Sequence, residues 1–329
     1  NEMILLAFAV MLVMLFAKVP VFIAVFSGSV IYFLLTPGVS IAIFAQKMIG
    51  GVESIPLLAV PFFVCASAFM NYSGVTERIY TFAGVLAGRM SGGLAQVNVL
   101  VSTLMGGLSG SALADAAMDA KMLVPQMEKQ GYSKAFSSVV SSSSAIITPL
   151  IPPGIGLIVY GCVTNISIGK LFVAGFGPGF LLCAMMMVLV SRISKKRGYL
   201  PIRTRRLSSQ EFIKAAKPAI LPLCLPIIII GGVRIGLFTA TESGAVAIAY
   251  AILLGLIYKE LKPKHFAESL KETAVSTATI LMIVASASVF SWVLTSEMVP
   301  QRLAEWMIGT IHNKWVFIIA VDILLVIVG

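Results

Sequence analysis

Apolar positions in this chain fall in long unbroken runs, not in the two- or three-to-four-residue rhythm of a half-buried strand or surface helix. Met3–Ala17, Val19–Leu35, Leu171–Val190, Ala219–Val233 and Ala240–Tyr258 are of membrane-crossing length or close to it. About 20 apolar residues in a helix cover the ~30 Å hydrocarbon core. No ten-residue alternating pattern with turn punctuation is present, so the runs do not suggest a β-barrel. The pattern predicts an all-α polytopic membrane protein.

Two stretches break it. Gly106-Gly-Leu-Ser-Gly-Ser-Ala-Leu-Ala-Asp115 and Thr148-Pro-Leu-Ile-Pro-Pro-Gly154 are rich in glycine, serine and proline inside otherwise apolar sequence. Lipid tolerates irregular backbone only where it is buried in protein or lines a watery cavity. Broken helices of this kind build substrate and ion sites in secondary transporters. Elsewhere, Tyr199–Ser209 reads as a polar, basic linker, and Ser208-Ser-Gln-Glu211 as a capping box. Pro218, Pro222 and Pro226 predict a kink in the next crossing. Thr239 or Thr241 is expected to cap the following helix, with Glu242 at its positive end.

Composition sharpens the class. Only 12% of residues are charged, against about 25% in soluble domains, and mean hydropathy is +0.99. The net charge of +10 is concentrated in Arg192, Lys195, Lys196, Arg197, Arg203, Arg205, Arg206, Lys214 and Lys217, with a second group at Lys259, Lys262, Lys264 and Lys271. Basic loops stay in the cytoplasm, so loop 192–217 is expected there, with the chain near Lys129–Lys134. No aromatic stacking platform accompanies the positive charge, which argues against nucleic acid as a partner. Cys65, Cys162, Cys183 and Cys224 are scattered and read as small buried hydrophobes. His265 and His312 are read as loop residues without ligand partners, and no nucleotide, esterase or metalloprotease motif occurs. Nothing here indicates an enzyme.

Val75-Thr-Glu-Arg-Ile-Tyr-Thr-Phe82 recurs in type as Val299-Pro-Gln-Arg-Leu-Ala-Glu-Trp306, an offset of 299 − 75 = 224. Ser67 then falls on Ser291 and Asn98 on Asp322. This fits an internal two-fold repeat of a transporter. At that offset Gly329 corresponds to Met105, just before the first break, so the second copy is expected to be cut short here. The expected organisation is 1–60 scaffold helices, 61–190 first transport unit, 191–275 basic loop and scaffold helices, and 276–329 the start of the second repeat. A chain so cut is expected not to transport alone.

Ser109, Ser111 and Asp115 combine hydroxyls, freed carbonyls and a carboxylate, a set that suits Na+. The same residues also suit a close helix-packing face, with Asp115 as a cap at a water-exposed turn. Thr148 and Pro149 add oxygens at the second break. Ser137-Ser-Val-Val-Ser-Ser-Ser-Ser144 offers six hydroxyls, for which back-bonding within the helix is the competing role. Met185-Met-Met187 reads as apolar filler.

With G-G-L-S-G-S-A-L-A-D-A-A at 106–117, T-P-L-I-P-P-G-I at 148–155, G-K-L-F-V-A-G at 169–175 and F-T-A-T-E at 238–242, the chain resembles the large membrane subunit of tripartite ATP-independent periplasmic (TRAP) transporters. The resemblance implies an inverted-repeat, elevator-type transporter with re-entrant helical hairpins in a bacterial inner membrane. It implies Na+-coupled import of a small organic acid, such as sialic acid or a C4-dicarboxylate. The acid would come from a periplasmic substrate-binding protein, with a small membrane (Q) subunit as second partner. Na+ would be held at Ser109, Ser111, Asp115, Thr148 and Pro149, and the acid at Ser111, Pro152, Pro153 and Gly154. Gly154, Gly156, Asp119 and Lys121 depart from the family's usual residues. A symporter that needs no binding protein, and a permease subunit driven by a separate ATPase, remain open readings.

Overall fold

The computed structural model describes residues 2–205, 208–311 and 313–328, and among these only helices, turns and irregular segments occur. In chain order the helices are α1 (Glu2–Phe16), α2 (Val21–Leu35), α3 (Ile41–Gly50), a short 3-10 turn (Ile55–Leu58), α4 (Ala59–Tyr72), α5 (Val75–Ala87) and α6 (Gly93–Ser109). There follow α7 (Ala112–Met122), α8 (Val124–Lys129), α9 (Lys134–Ser144), α10 (Ile155–Thr164), α11 (Ile168–Arg197), α12 (Ser209–Arg234) and α13 (Ala240–Ile257). The last are α14 (Pro263–Ser296), α15 (Val299–Thr310) and α16 (Lys314–Val328). Among the described residues, five segments are long and apolar enough to cross a membrane: Ile55–Tyr72 and the helices α11, α12, α13 and α14. This is an all-α, multi-pass membrane protein.

Local chemistry sets the helix ends. Ser40, Ser133 and Thr239 accept hydrogen bonds from the backbone N–H groups of Ala42, Phe136 and Glu242, and so cap α3, α9 and α13. Glu242 in turn accepts from the Thr239 N–H at 2.7 Å, forming a capping box that places the cap at Thr239 and not Thr241. Glu211 does the same for the Ser208 N–H at 2.8 Å and pairs with Arg205 at 2.6 Å.

The chain divides into two compact units. One comprises residues 1–53 and 278–329. Here Tyr32, Phe33 and Phe44 pack with Val289 and Val293, Phe33 stacks on Trp292, and the Tyr32 hydroxyl donates to Glu297.

The other, residues 54–277, holds both helix breaks. Its core gathers Leu94 and Val99 of α6, Phe136 and Val140 of α9, Ile147 and Ile151 of the second break, and Cys183 and Val190 of α11. At one end of this unit the linker runs along the turn before α6. The N–H groups of Gly92 and Gly93 donate to the carbonyls of Tyr199 and Leu200, and Arg203 bonds back to Gly88 and Val85. The Tyr199 hydroxyl accepts from the Ser133 N–H, so the start of α9 lies at that same end.

α12 stays helical through Pro218, Pro222 and Pro226. Pro222 cannot bond the carbonyl of Pro218, but the Tyr258 hydroxyl does so at 2.9 Å, which satisfies that freed carbonyl. Two expectations change. His265 lies in the first turn of α14, not a loop, where it stacks on Tyr72 at 4.9 Å and accepts from the Lys262 N–H. Pro263 at the first helical position explains the early start. Asp115 is 2% exposed, so it does not cap a water-facing turn; Ser111 is the N-cap of α7. Arg206 and His312 lie outside the described residues.

The 224-residue offset has a local structural counterpart. Gly74 and Met298 both take left-handed backbone (φ +71 and +57), and each immediately precedes a helix, α5 or α15.

Candidate functional site

α6 and α7 form a tight hairpin because Gly110 turns the chain with φ +60, a conformation that costs other residues energy. The tip docks on the second break. A Cβ on Gly110 would stand 2.5 Å from the Pro153 carbonyl oxygen, and one on Gly106 would stand 2.8 Å from the Thr148 carbonyl oxygen. Only glycines permit these approaches. The break itself is compact: tight turns over 145–151 lead into a cis Pro152–Pro153 bond, and α10 starts at Ile155. The Pro149 carbonyl lies directly against Gly154, where any Cβ would collide with it.

Tertiary structure therefore brings together Ser109, Ser111, Asp115, Thr148, Pro149, Pro152, Pro153 and Gly154. Ser111 caps α7 by accepting from the Ala114 N–H. Ser109 ends α6, is 5% exposed, and its hydroxyl has no hydrogen-bond partner among the described residues. The Thr148 hydroxyl lies 2.9 Å from Asp115 Oδ2 and 3.1 Å from the Ser102 carbonyl.

The structure adds residues that the sequence reading did not place in the site. Asp119 is fully buried one turn after Asp115, and the Ser102 hydroxyl donates to its Oδ2 at 3.3 Å. Asn98, one turn before Ser102, donates to Ser141 at 2.7 Å and accepts from Ser144 at 2.6 Å. The i, i+4 spacings 98/102 and 115/119 were the signal for this polar seam. The serine run divides in two. Ser137 and Ser142 bond back to their own helix, as the packing alternative expects, while Ser141 and Ser144 hold Asn98.

The electrostatics of the seam are unbalanced. Among the described residues, Asp115 Oδ1 and Asp119 Oδ1 are buried without hydrogen-bond partners, and neither carboxylate has a cationic side chain paired with it. Two charges one helical turn apart, ~6 Å, repel by roughly 3 kcal/mol at an effective dielectric of ~20. Buried carboxylates without compensation are costly, so this seam fits a bound cation. Hard oxygens from carboxylates, hydroxyls and carbonyls are the donor set Na+ takes. The opposite face of α7 lines a separate cavity of about 670 Å3, where Met118 and Lys121 meet Tyr72, Glu77, Glu260 and Glu272. Thr239 and Glu242 stand apart from the seam, in a recess of about 750 Å3 with Ile55, Asn165 and Ser167.

Residues 8–329 match the family described as the tripartite ATP-independent periplasmic transporter, DctM component. The sialic acid TRAP transporter large permease protein SiaM of Vibrio cholerae is 41% identical over 96% of this chain and 74% of its own length. The sialic acid TRAP transporter permease protein SiaT of Haemophilus influenzae is 36% identical over 100% of this chain and 53% of its own. The C4-dicarboxylate TRAP transporter large permease protein DctM of Pseudomonas aeruginosa is 35% identical over 92% and 70% respectively.

Proposed function

The chain belongs to the DctM component family of tripartite ATP-independent periplasmic transporters, and from that premise we propose that it imports a small organic acid together with Na+. It is a transporter permease component and not an enzyme. One observation carries the Na+ reading: a fully buried layer where the hairpin tip, the proline break and two uncompensated carboxylates meet. Asp115, Ser109 and Thr148, with the carbonyls of the break, are the groups that would hold Na+, and Asp119 with Ser102 extends the layer. Ser111 and the Pro152-Pro153-Gly154 backbone stand at the tip, where the acid would meet the ion-loaded hairpin. Each positive charge carried inward across 100 mV contributes about 2.3 kcal/mol to accumulation.

The partners follow from the family: a periplasmic substrate-binding protein that delivers the acid, and a small permease subunit. SiaM and DctM are named for sialic acid and C4-dicarboxylates, so these are the acids to test first. The hairpin unit would move as an elevator in a bacterial inner membrane, with loop 192–217 cytoplasmic. The linker, the turn before α6 and the start of α9 share one end of the unit, which supports a single basic, cytoplasmic side.

Proteoliposomes containing the natural full-length subunit, the small subunit and the purified binding protein test this reading. Uptake of the labelled acid should rise with an inward Na+ gradient. Uptake indifferent to Na+ yet dependent on ATP would overturn it. A cysteine placed at Arg205 in a cysteine-free background should resist an impermeant thiol reagent applied to intact cells; labelling from outside would reverse the topology.

A further inference from the structure

α12 meets the hairpin at one close point and leaves space beside it. Pro226 Cγ lies 2.5 Å from where a Cβ on Gly107 would stand, so helix and hairpin touch there without slack. Alongside, Leu104, Ile151, Phe176, Phe180 and Pro226 line a cavity of about 470 Å3, with Arg234 among its boundary residues. Phe176 and Phe180 stack at 5.6 Å along one wall. Ile227, also lining it, is 71% exposed, so the cavity borders an exposed apolar surface of a membrane-spanning helix.

Arg234 is the odd residue. It ends α12, is exposed, and has no ion pair or hydrogen-bonded side-chain partner among the described residues. Its neighbours Ile235 and Leu237 are 72% and 71% exposed, the profile of chain in contact with hydrocarbon. It also stands at the end of α12 away from the basic linker, roughly 39 Å along a 26-residue helix. A guanidinium at that position offers a fork of donors that matches a phosphodiester. The cavity is too small for a protein helix about 10–12 Å across, and its apolar walls suit an alkyl chain.

We propose that this cavity holds one acyl chain of an anionic phospholipid whose phosphate is bound by Arg234. Because Gly107 and Ile151 belong to the hairpin and the break, the lipid lies against the back of the candidate ion layer. The inference does not depend on Na+ coupling or on the substrate.

Native mass spectrometry of the detergent-purified protein, titrated with phosphatidylglycerol or with phosphatidylcholine of the same chains, tests it. Phosphatidylglycerol should be retained about tenfold more strongly. Arg234→Gln should abolish that preference and leave phosphatidylcholine retention unchanged. Gly231 also lines the cavity and has nothing within 4 Å of a built Cβ, so Gly231→Leu should fill the space while the fold is kept. That variant should lose both lipids and melt, once delipidated, no lower than the parent. Equal retention of the two lipids by the parent, or unchanged phosphatidylglycerol retention in both variants, would overturn the proposal. So would a photocrosslinker at Gly231 that captures a polypeptide instead of lipid.

Discussion

Two proline-rich segments of the same unit end in opposite ways. Thr148–Gly154 breaks the chain between α9 and α10, whereas α12 carries Pro218, Pro222 and Pro226 through an unbroken helix. In α12 the prolines recur every four residues, so their missing donors fall on one face, and the carbonyl freed by Pro222 takes the Tyr258 hydroxyl. In the break the prolines are adjacent, and the i−4 carbonyls they free belong to Thr148 and Pro149. Those two carbonyls lie against Gly106 and Gly154, with no side chain between. The number of prolines is the same; their spacing, and whether a hydroxyl or a glycine faces the freed oxygen, separates a scaffold helix from a candidate ion layer.

Substitutions can break this contrast at graded cost. Gly154→Ala forces a Cβ onto the Pro149 carbonyl, a backbone atom that cannot swing away. It should abolish Na+-driven uptake and destabilise by about 1–3 kcal/mol, read as vesicle transport and a thermal melt. Thr148→Val removes the donor to Asp115 Oδ2 while keeping volume. A loss of about 1–3 kcal/mol is expected, along with a several-fold higher Na+ half-saturation; an unchanged half-saturation would detach Thr148 and Asp115 from the ion. Tyr258→Phe keeps the ring under Arg78, which lies 3.8 Å from its centroid, and deletes only the bond to Pro218. It should cost about 0.6 kcal/mol, and less in a Pro222→Ala background, where a backbone N–H replaces the hydroxyl; a double-mutant cycle of melting temperatures measures the difference. Smallest of all, Ser142→Ala removes an exposed hydroxyl bonded only within α9 and should stay within about 0.5 kcal/mol. Ser144→Ala, which strips Asn98 of its donor, should exceed it clearly in the same melt.

Much of this was legible in the chain. Apolar runs located three of the long crossing segments, α11, α12 and α13, and Ala240–Tyr258 matches α13 to within one residue. Ile55–Tyr72 and α14 were not among them, and the runs at Met3–Ala17 and Val19–Leu35 form the shorter helices α1 and α2. Capping residues at Ser208 and Thr239 announced the starts of α12 and α13 because such bonds are local. Both breaks were visible as glycine and proline clusters. Hidden were the partners. Asn98 and Ser102 look like ordinary polar residues on an apolar helix until α9 and the break pack against them. Asp119 departs from the family's usual residue, but its burial beside Asp115 depends on which face of α7 turns inward.

The sequence by itself determined the membrane class, the position of the breaks and the starts of α12 and α13, since these follow from hydropathy summed along the chain and from bonds spanning a few residues. Only the tertiary structure decided that the hairpin tip seats on Pro153 and Gly154, that two carboxylates share one buried seam, and that three prolines can leave a helix whole. Each of those outcomes rests on atoms brought together from distant positions, and the energy of a buried charge or a freed carbonyl depends on what stands opposite it.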